Sequence, residues 1–443
     1  MRGEHQALDP GAALKLCLLK LSALALMKHL DSLQSEFAIK VVQWQRLAGR
    51  HKLAWQNTRD PYRIWVSEIM LQQTQVATVT PYYERFIKRF PDVHSLAEAS
   101  LDEVLALWSG LGYYRRAKFL HACAKTIVES HEGAFPQDEK ILAELPGIGR
   151  STAAAIAAFA FQRRAAILDG NVKRVLARVF ALELDPQSSK SLRVFWDLAE
   201  SLLPQHGDMA AYTQGLMDLG ATCCLQRKPT CTQCPLQGMC QAKQAGKQEA
   251  YPLVKAKKTV PLRHWLMVWI SDGERFLLLR RPAQGIWASM WSLPSIDVLP
   301  DTLIKSITKS KSESLPTPFN NEELLVAMHQ LWRDQYHVYI NQETFSAQSA
   351  AVLHASFKPK VKLEYALNLE QSFTHFRLVA PILRVFVDRE SISNKANRAE
   401  EPSLAYALNS ATLGQQQSLW LRMDEALELG IPRAIRKLLE GAK

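Results

Sequence analysis

The sequence has no uninterrupted apolar run of the roughly 18 residues that a membrane-spanning helix needs. Lys15, Lys20 and Lys28 break up the one candidate, between Leu14 and Leu30. No internal repeat occurs, so a repeat architecture is excluded. Acidic residues are outnumbered, 43 Asp and Glu against 54 Lys and Arg, which leaves +11 over 443 residues. That sign favours a polyanionic partner such as nucleic acid without requiring one. Cysteine is scarce outside one stretch: Cys17 and Cys123 stand alone, while Cys223, Cys224, Cys231, Cys234 and Cys240 crowd together. The crowding reads as metal binding in a reducing compartment rather than as a disulfide framework. A hydrophobic content of 47% excludes general disorder, and the length suits two or three domains, each with its own core.

Residues 1–35 read as an N-terminal extension, disordered or loosely helical; a signal peptide cleaved near Ala23-Leu24-Ala25 is the weaker reading, because secretion would expose the cysteines to oxidation. From Ile39 to about Leu219 apolar residues recur at helical spacing, with helix starts at Asp60-Pro61 and at Asp169 before Val172, Val175, Leu176 and Val179. This half is predicted all-helical, with one helix over Tyr62–Thr78. Between Gln241 and His264 six Lys/Arg, one Glu and two prolines mark an exposed linker. Beyond it short strand-like runs appear at Leu266–Ile270, Phe276–Leu279, Val338–Ile340 and Pro381–Val387, so the second half reads as a smaller α+β domain. Its segments Ile304–Asn321 and Glu390–Ser403 look like loops or insertions.

Four features carry chemistry. Leu145-Pro-Gly-Ile-Gly-Arg150 lies between helical patterns and suits a helix-hairpin-helix, where Gly147 and Gly149 would let backbone N–H groups reach a phosphate at the start of the next helix; a plain helical hairpin is the alternative. Asp169 reads as an N-cap. Glu68 sits on the apolar stripe of its helix, where a buried carboxyl gains a raised pKa and the capacity of a general acid, unless Arg or backbone partners satisfy it. Cys224, Cys231, Cys234 and Cys240 form a C-x6-C-x2-C-x5-C array that zinc or a four-iron cluster could use, with Cys223 leaving the first ligand ambiguous. Arg227, Lys228 and the basic linker could track a phosphate backbone or form a solvated face. Trp287 and Trp291 near a turn, and Phe373-Thr374-His375-Phe376 with its polar pair between aromatics, read by default as core packing and a strand end.

Together these stretches resemble the MutY-type adenine DNA glycosylases of the helix-hairpin-helix superfamily. The resemblance rests on Asp60 to Val76, Trp108-Ser-Gly-Leu-Gly-Tyr-Tyr114, Leu145 to Thr152, Leu168 to Arg174 and the cysteine array. It is strong from Ile39 to Cys240 and thinner beyond. It implies an α-helical helix-hairpin-helix glycosylase domain over residues 36–223, an iron-sulfur cluster loop over 224–240, a basic linker over 241–263, and an α+β MutT-like (Nudix-fold) domain over 264–443 that recognises 8-oxoguanine. Cys224, Cys231, Cys234 and Cys240 would hold a [4Fe-4S] cluster. Glu68 matches the residue that protonates adenine, Asp169 the carboxylate that stabilises the oxocarbenium-like sugar, and Asn171 a residue supporting it. Gln73 and Tyr113 match residues that insert near, or stack on, the opposing 8-oxoguanine; Trp55 and Gln214 align with pocket-lining positions.

Ser151 stands where the related endonuclease III branch carries a Schiff-base lysine, which implies a monofunctional glycosylase. Phe373-Thr374-His375 matches the family's Phe-Ser-His loop. No Arg-Glu-x-x-Glu-Glu run occurs, so the second domain is expected to read rather than hydrolyse. The expected substrate is double-stranded DNA with adenine opposite 8-oxoguanine or guanine, handled by a monomer with no membrane association, in the cytoplasm and on the nucleoid if the source is bacterial. The rivals are an endonuclease III-like glycosylase/AP lyase, opposed by Ser151 and the second domain, and a non-catalytic DNA-binding iron-sulfur protein, opposed by Glu68 and Asp169.

Overall fold

The computed structural model describes residues 34–253, 259–296, 363–373, 375–386 and 417–441. Of the sequence readings above, those on residues 1–33, Ile304–Asn321, Val338–Ile340, Thr374 and Glu390–Ser403 lie outside the described residues. The chain falls into two compact units, Met1–Glu98 with Ala122–Lys257, and Ala99–His121 with Lys258–Lys443.

The first unit is helical. Residues 34–48 form α1, followed by α2 (Pro61–Leu71), α3 (Val76–Arg89) and α4 (Val93–Glu98). Asp60 caps α2 by accepting the Tyr62 N–H at 2.9 Å, and Pro61 stands at its first turn, where no N–H is needed. The single helix expected over Tyr62–Thr78 is instead two. Gln72 leaves the helical region at ψ 114° and Gln73 turns left-handed at φ 56° before α3 restarts at Val76. Apolar spacing cannot register such a break when neither glycine nor proline marks it.

Further along come α7 (Glu139–Glu144), α8 (Arg150–Phe161), α9 (Gly170–Val179), α10 (Ser189–Ser201), α11 (Met209–Asp218) and α12 (Gln241–Gln244). Helix α8 is the axis of the unit. Its run from Thr152 to Ala158 is buried, and α2, α7 and α11 all pack on it. Alanine suits this place because it is the best helix former and lets neighbouring backbones approach closely. Val172, Val175, Leu176 and Val179 of α9 bury into one core with Phe37, Val41, Phe195 and Tyr212.

The second unit is built on a mixed sheet: β1 (Leu262–His264), β2 (Leu266–Ser271), β3 (Phe276–Arg280), β4 (Trp291–Ser292), β5 (Ser295–Ile296), β6 (Leu363–Ser372), β7 (Arg377–Phe386) and β8 (Ser418–Leu421). The order is β1-β7-β2-β3-β4, with β5 on β2, β6 on β7 and β8 on β3. β7 runs parallel to β1 and β2 and antiparallel to β6. Leu266 to Ile270 are all buried, as expected of a strand covered on both faces. Helices α13 (Met423–Leu427) and α14 (Arg433–Glu440) close the unit. So does α5 (Leu101–Trp108), drawn from the helical half of the sequence, whose Asp102 takes an ion pair from Arg280 at 2.9 Å. Helix α6 (Arg115–His131) has residues in both units. Among the described residues no helix is long and apolar enough to cross a membrane.

Candidate active site

The first unit contains a cavity of about 820 Å3, whose walls include Trp55, Ile64, Glu68, Phe159, Gln162 and Gln214. Glu68 enters from α2 because helical spacing puts it on the stripe of Ile64 and the next turn. Enclosure by protein and, second, the nearby Asp169 charge push its carboxyl up to about 7. Among the described residues no group hydrogen-bonds that carboxyl, so nothing stabilises its charged form.

Asp169 sits in the opposite setting. As N-cap of α9 it accepts the Val172 N–H at 2.7 Å and the Asn171 side-chain amide at 3.2 Å. Burial raises its pKa, while these bonds and the Arg174 charge oppose the rise. Asn171 is itself fixed: Arg174 Nη2 donates to its Oδ1 at 2.9 Å and to Gly220 O at 2.6 Å, and Arg174 Nε donates to Cys224 O at 2.8 Å. Gly220 abuts Asn171, and a Cβ there would meet the Asn171 Cα at 2.9 Å and strike its Cβ. We therefore predict that Gly220→Ala displaces Asn171 and lowers the single-turnover rate of the chemistry by about tenfold or more, since such geometry tolerates little displacement. A rate within twofold of the parent would show that Asn171 does not set the position of Asp169.

Gln214, on α11, reaches the cavity with its amide oriented. Its Nε2 donates to Asp218 Oδ1 at 2.8 Å. Asp218 is fully buried and paired with Arg50 at 2.6 Å, and it also accepts the Arg50 N–H at 2.8 Å. Trp55 is buried edge-on against Tyr83, with ring centroids 5.5 Å apart.

Gln73 is exposed in its left-handed turn. Gly147 needs to be glycine at φ 77°, whereas Gly149 caps α8 at an ordinary φ of −87° with open space where a Cβ would go. Ser151 Oγ accepts the Leu168 N–H at 3.2 Å, one residue ahead of Asp169. In the second unit Tyr113 is exposed at φ 49°. Phe373 stacks on Phe376 at 4.5 Å and lies 6.1 Å from Trp287, with Arg263 over the Phe376 ring; His375 is exposed. Thus Trp55, Glu68 and Gln214 share one cavity with Asp169 within electrostatic reach, while the glycines, Ser151 and Gln73 lie elsewhere in that unit. Arg50, Arg174, Asp218 and Gly220 were missed from the sequence. Only Arg174, three residues after Asn171 on one helix, carried a local signal.

The iron-sulfur expectation needs correction. Among the described residues no group of three or more His, Cys, Asp or Glu side chains could hold a metal ion. Arg178 Nη1 donates to Cys224 Sγ at 3.3 Å, Cys240 donates to Arg178 O at 3.4 Å, and Cys223 bonds Thr230 O at 3.4 Å and pairs with Cys234. The space that Cys223, Cys224, Cys231, Cys234 and Cys240 line is about 20 Å3, room for about one water. Sequence spacing records nearness along the chain and not convergence of Sγ atoms. The structure therefore overturns the [4Fe-4S] assignment to Cys224, Cys231, Cys234 and Cys240 and the cluster-loop part of the fold class.

Residues 66–201 match the HhH-GPD superfamily of base excision DNA repair proteins, and residues 264–441 match the NUDIX domain. The adenine DNA glycosylase of Buchnera aphidicola subsp. Acyrthosiphon pisum is 40% identical over 408 residues, 92% of this chain and 97% of the relative. That of Homo sapiens is 46% identical over 287 residues, 54% of this chain and 52% of the relative. A solved thermostable thymine-DNA glycosylase, 28% identical, covers 48% of this chain and 98% of its own at a TM-score of 0.44. With its helical helix-hairpin-helix part, its Nudix-like sheet and 40% identity to the Buchnera adenine DNA glycosylase over 92% of its length, the chain belongs to the MutY-type adenine DNA glycosylases.

Proposed function

We propose that this enzyme hydrolyses the N-glycosidic bond of adenine mispaired with 8-oxoguanine, or with guanine, as a monomeric, monofunctional glycosylase using Glu68 as acid and Asp169 as anion. The observation that carries this is the opposed setting of the two carboxyls. Glu68, with no hydrogen bond to its charged form among the described residues and a pKa of about 7, holds a proton near neutrality. Asp169 is raised by burial too, but its bonds from the Val172 N–H and Asn171 and the Arg174 charge favour its anion, support that Glu68 lacks. Glu68 gives its proton to a ring nitrogen of adenine, so the base leaves neutral. As the C–N bond breaks, Asp169 faces the positive charge spreading over the sugar until water adds.

A stacked duplex hides that bond, so the adenine must turn out into the cavity beside Trp55 and Gln214. Gln73 and Tyr113 fill or wedge the helix near the opposing base; both hold the left-handed backbone that costs energy unless surroundings impose it. Gly147 and Gly149 bring backbone N–H groups to a phosphate, and the open space at Gly149 fits that approach. Phe373, Thr374 and His375 read 8-oxoguanine without hydrolysing anything, because the glutamate-rich box is missing. The domain limits proposed are 36–223, 224–240, 241–263 and 264–443 after an extension over 1–35, and the setting proposed is the cytoplasm, on the nucleoid in a bacterium.

An end-labelled duplex with adenine opposite 8-oxoguanine, quenched with and without hot alkali, tests the reading. Strand breaks are expected only after alkali, since Ser151 offers no amine for a Schiff base. Breaks without alkali would favour the lyase, and no base loss the binding protein.

A further inference from the structure

Tyr113 holds a left-handed backbone at φ 49°, a conformation that a residue with a Cβ keeps only where its surroundings over-determine it. Its own ring, 49% exposed, supplies one contact, the Arg116 guanidinium 5.5 Å over it, and Trp108 Nε1 and Arg116 Nη2 donate to the preceding Gly112 O at 3.1 and 3.3 Å. The flanks of the turn are held from the far end of the sequence, within the same compact unit. Ser109 Oγ donates to Ile431 O at 2.6 Å, and Arg436 Nε donates to Ser109 Oγ at 3.2 Å. On the other flank the Arg433 N–H donates to the Tyr114 hydroxyl at 2.9 Å, which also receives the Gly110 N–H at 3.5 Å. Arg433 Nη1 adds a bond to Gly110 O at 3.4 Å.

The gripping segment is itself firm. Arg436 Nη2 donates to Leu427 O and Leu429 O at 2.5 and 3.3 Å, Ile431 is fully buried, and Gly430 lies so close to α5 that a Cβ would meet the Leu105 Cβ at 2.6 Å. Ser109, Gly110 and Tyr114 are thus held from the C-terminal segment, while the Tyr113 ring stands exposed between them and both Gly112 and Tyr113 keep positive φ.

We propose that residues 429–436 are a strap that fixes the Tyr113 turn, and that Ser109 and Tyr114 are positioning residues for insertion of Tyr113 beside the mismatch. This rests on the reading of Tyr113 as an inserting ring. It gives the C-terminal unit a second contribution to DNA binding, separate from any base reading by Phe373 and His375. A pre-shaped turn loses less entropy when it enters the duplex, so the strap acts on affinity.

The test uses the full chain. In the double variant Ser109→Ala/Tyr114→Phe, amide exchange over residues 109–114 without DNA should quicken. Affinity for a duplex with 2′-fluoro-2′-deoxyadenosine opposite 8-oxoguanine should fall about tenfold, the size of one or two net hydrogen bonds. The loss should fall on affinity more than on the saturated single-turnover rate, and should shrink to nothing when Tyr113→Ala is already present, because coupled groups are not additive. Unchanged exchange overturns the strap. A loss that adds in full to that of Tyr113→Ala means the variants act elsewhere, and the positioning role fails. If exchange quickens but Tyr113→Ala alone leaves affinity unaltered, the insertion reading is refuted and the positioning role with it.

Discussion

Glu68→Gln is expected to slow adenine release by about a thousandfold, within the usual range for removing a general acid. The amide keeps the shape of the side chain and cannot give up a proton. Because burial and the Asp169 charge hold the Glu68 pKa near 7, the parent rate should decline as pH rises through about 7, and this alkaline limb should vanish from the residual activity of the variant. The acid limb should survive, since it reports Asp169, which must be ionised. Burial raises that group too, so its limb is displaced upward from that of an ordinary aspartate.

The same substitution should stabilise the fold. A carboxyl whose folded pKa lies above its unfolded value near 4.5 stabilises the native state fully below that value, and the contribution disappears as pH rises through about 7. The shift corresponds to roughly 3–4 kcal/mol between the two limits. Glutamine escapes the penalty, so the melting temperature of Glu68→Gln should pull ahead of the parent between pH 5 and pH 8. A variant that loses activity and melts lower at pH 8 would show Glu68 to be a structural partner instead of a strained acid.

Residues whose reasons are local were legible in the sequence. Asp60 and Asp169 precede helices they cap, and an N-cap acts within three residues. Glu68 on an apolar stripe was likewise visible, since the helical period alone sets the face. The strands at Leu266 and Phe276 announced themselves by apolar runs longer than a turn. Reading failed where a reason is distant. Asp218 takes its charge partner from Arg50, and Asn171 is walled in by Gly220. The break after Leu71 depends on a left-handed Gln73, which no side-chain type advertises. The cysteines misled because their spacing matched a known array while their thiols turned to Arg178, Thr230 and each other.

Arg178→Met should cost about 3 kcal/mol or more, seen as a lower midpoint in urea and in thermal melting. Arg178 is 2% exposed in the last turn of α9. Its guanidinium donates to Tyr251 O at 3.0 Å, Leu225 O at 2.6 Å and Gln226 O at 3.0 Å, besides Cys224 Sγ. The negative end of the helix dipole favours a cation there. Methionine fills similar volume and leaves three carbonyls without that donor, each costing about 1–3 kcal/mol when water cannot replace it. Lysine should lose less, because an ammonium keeps the charge and one or two of the bonds without the planar fork that spans all of them. By contrast, breaking the half-exposed pair Arg377–Glu370 should cost under about 1 kcal/mol, as solvent screens it. Arg178 thus ties residues 224–226 and Tyr251 to the end of α9, and the start of that helix is Asp169. A loosened α9 should therefore slow base release even where the protein remains folded, and an Arg178→Met protein that melts with the parent and retains its rate would refute both parts.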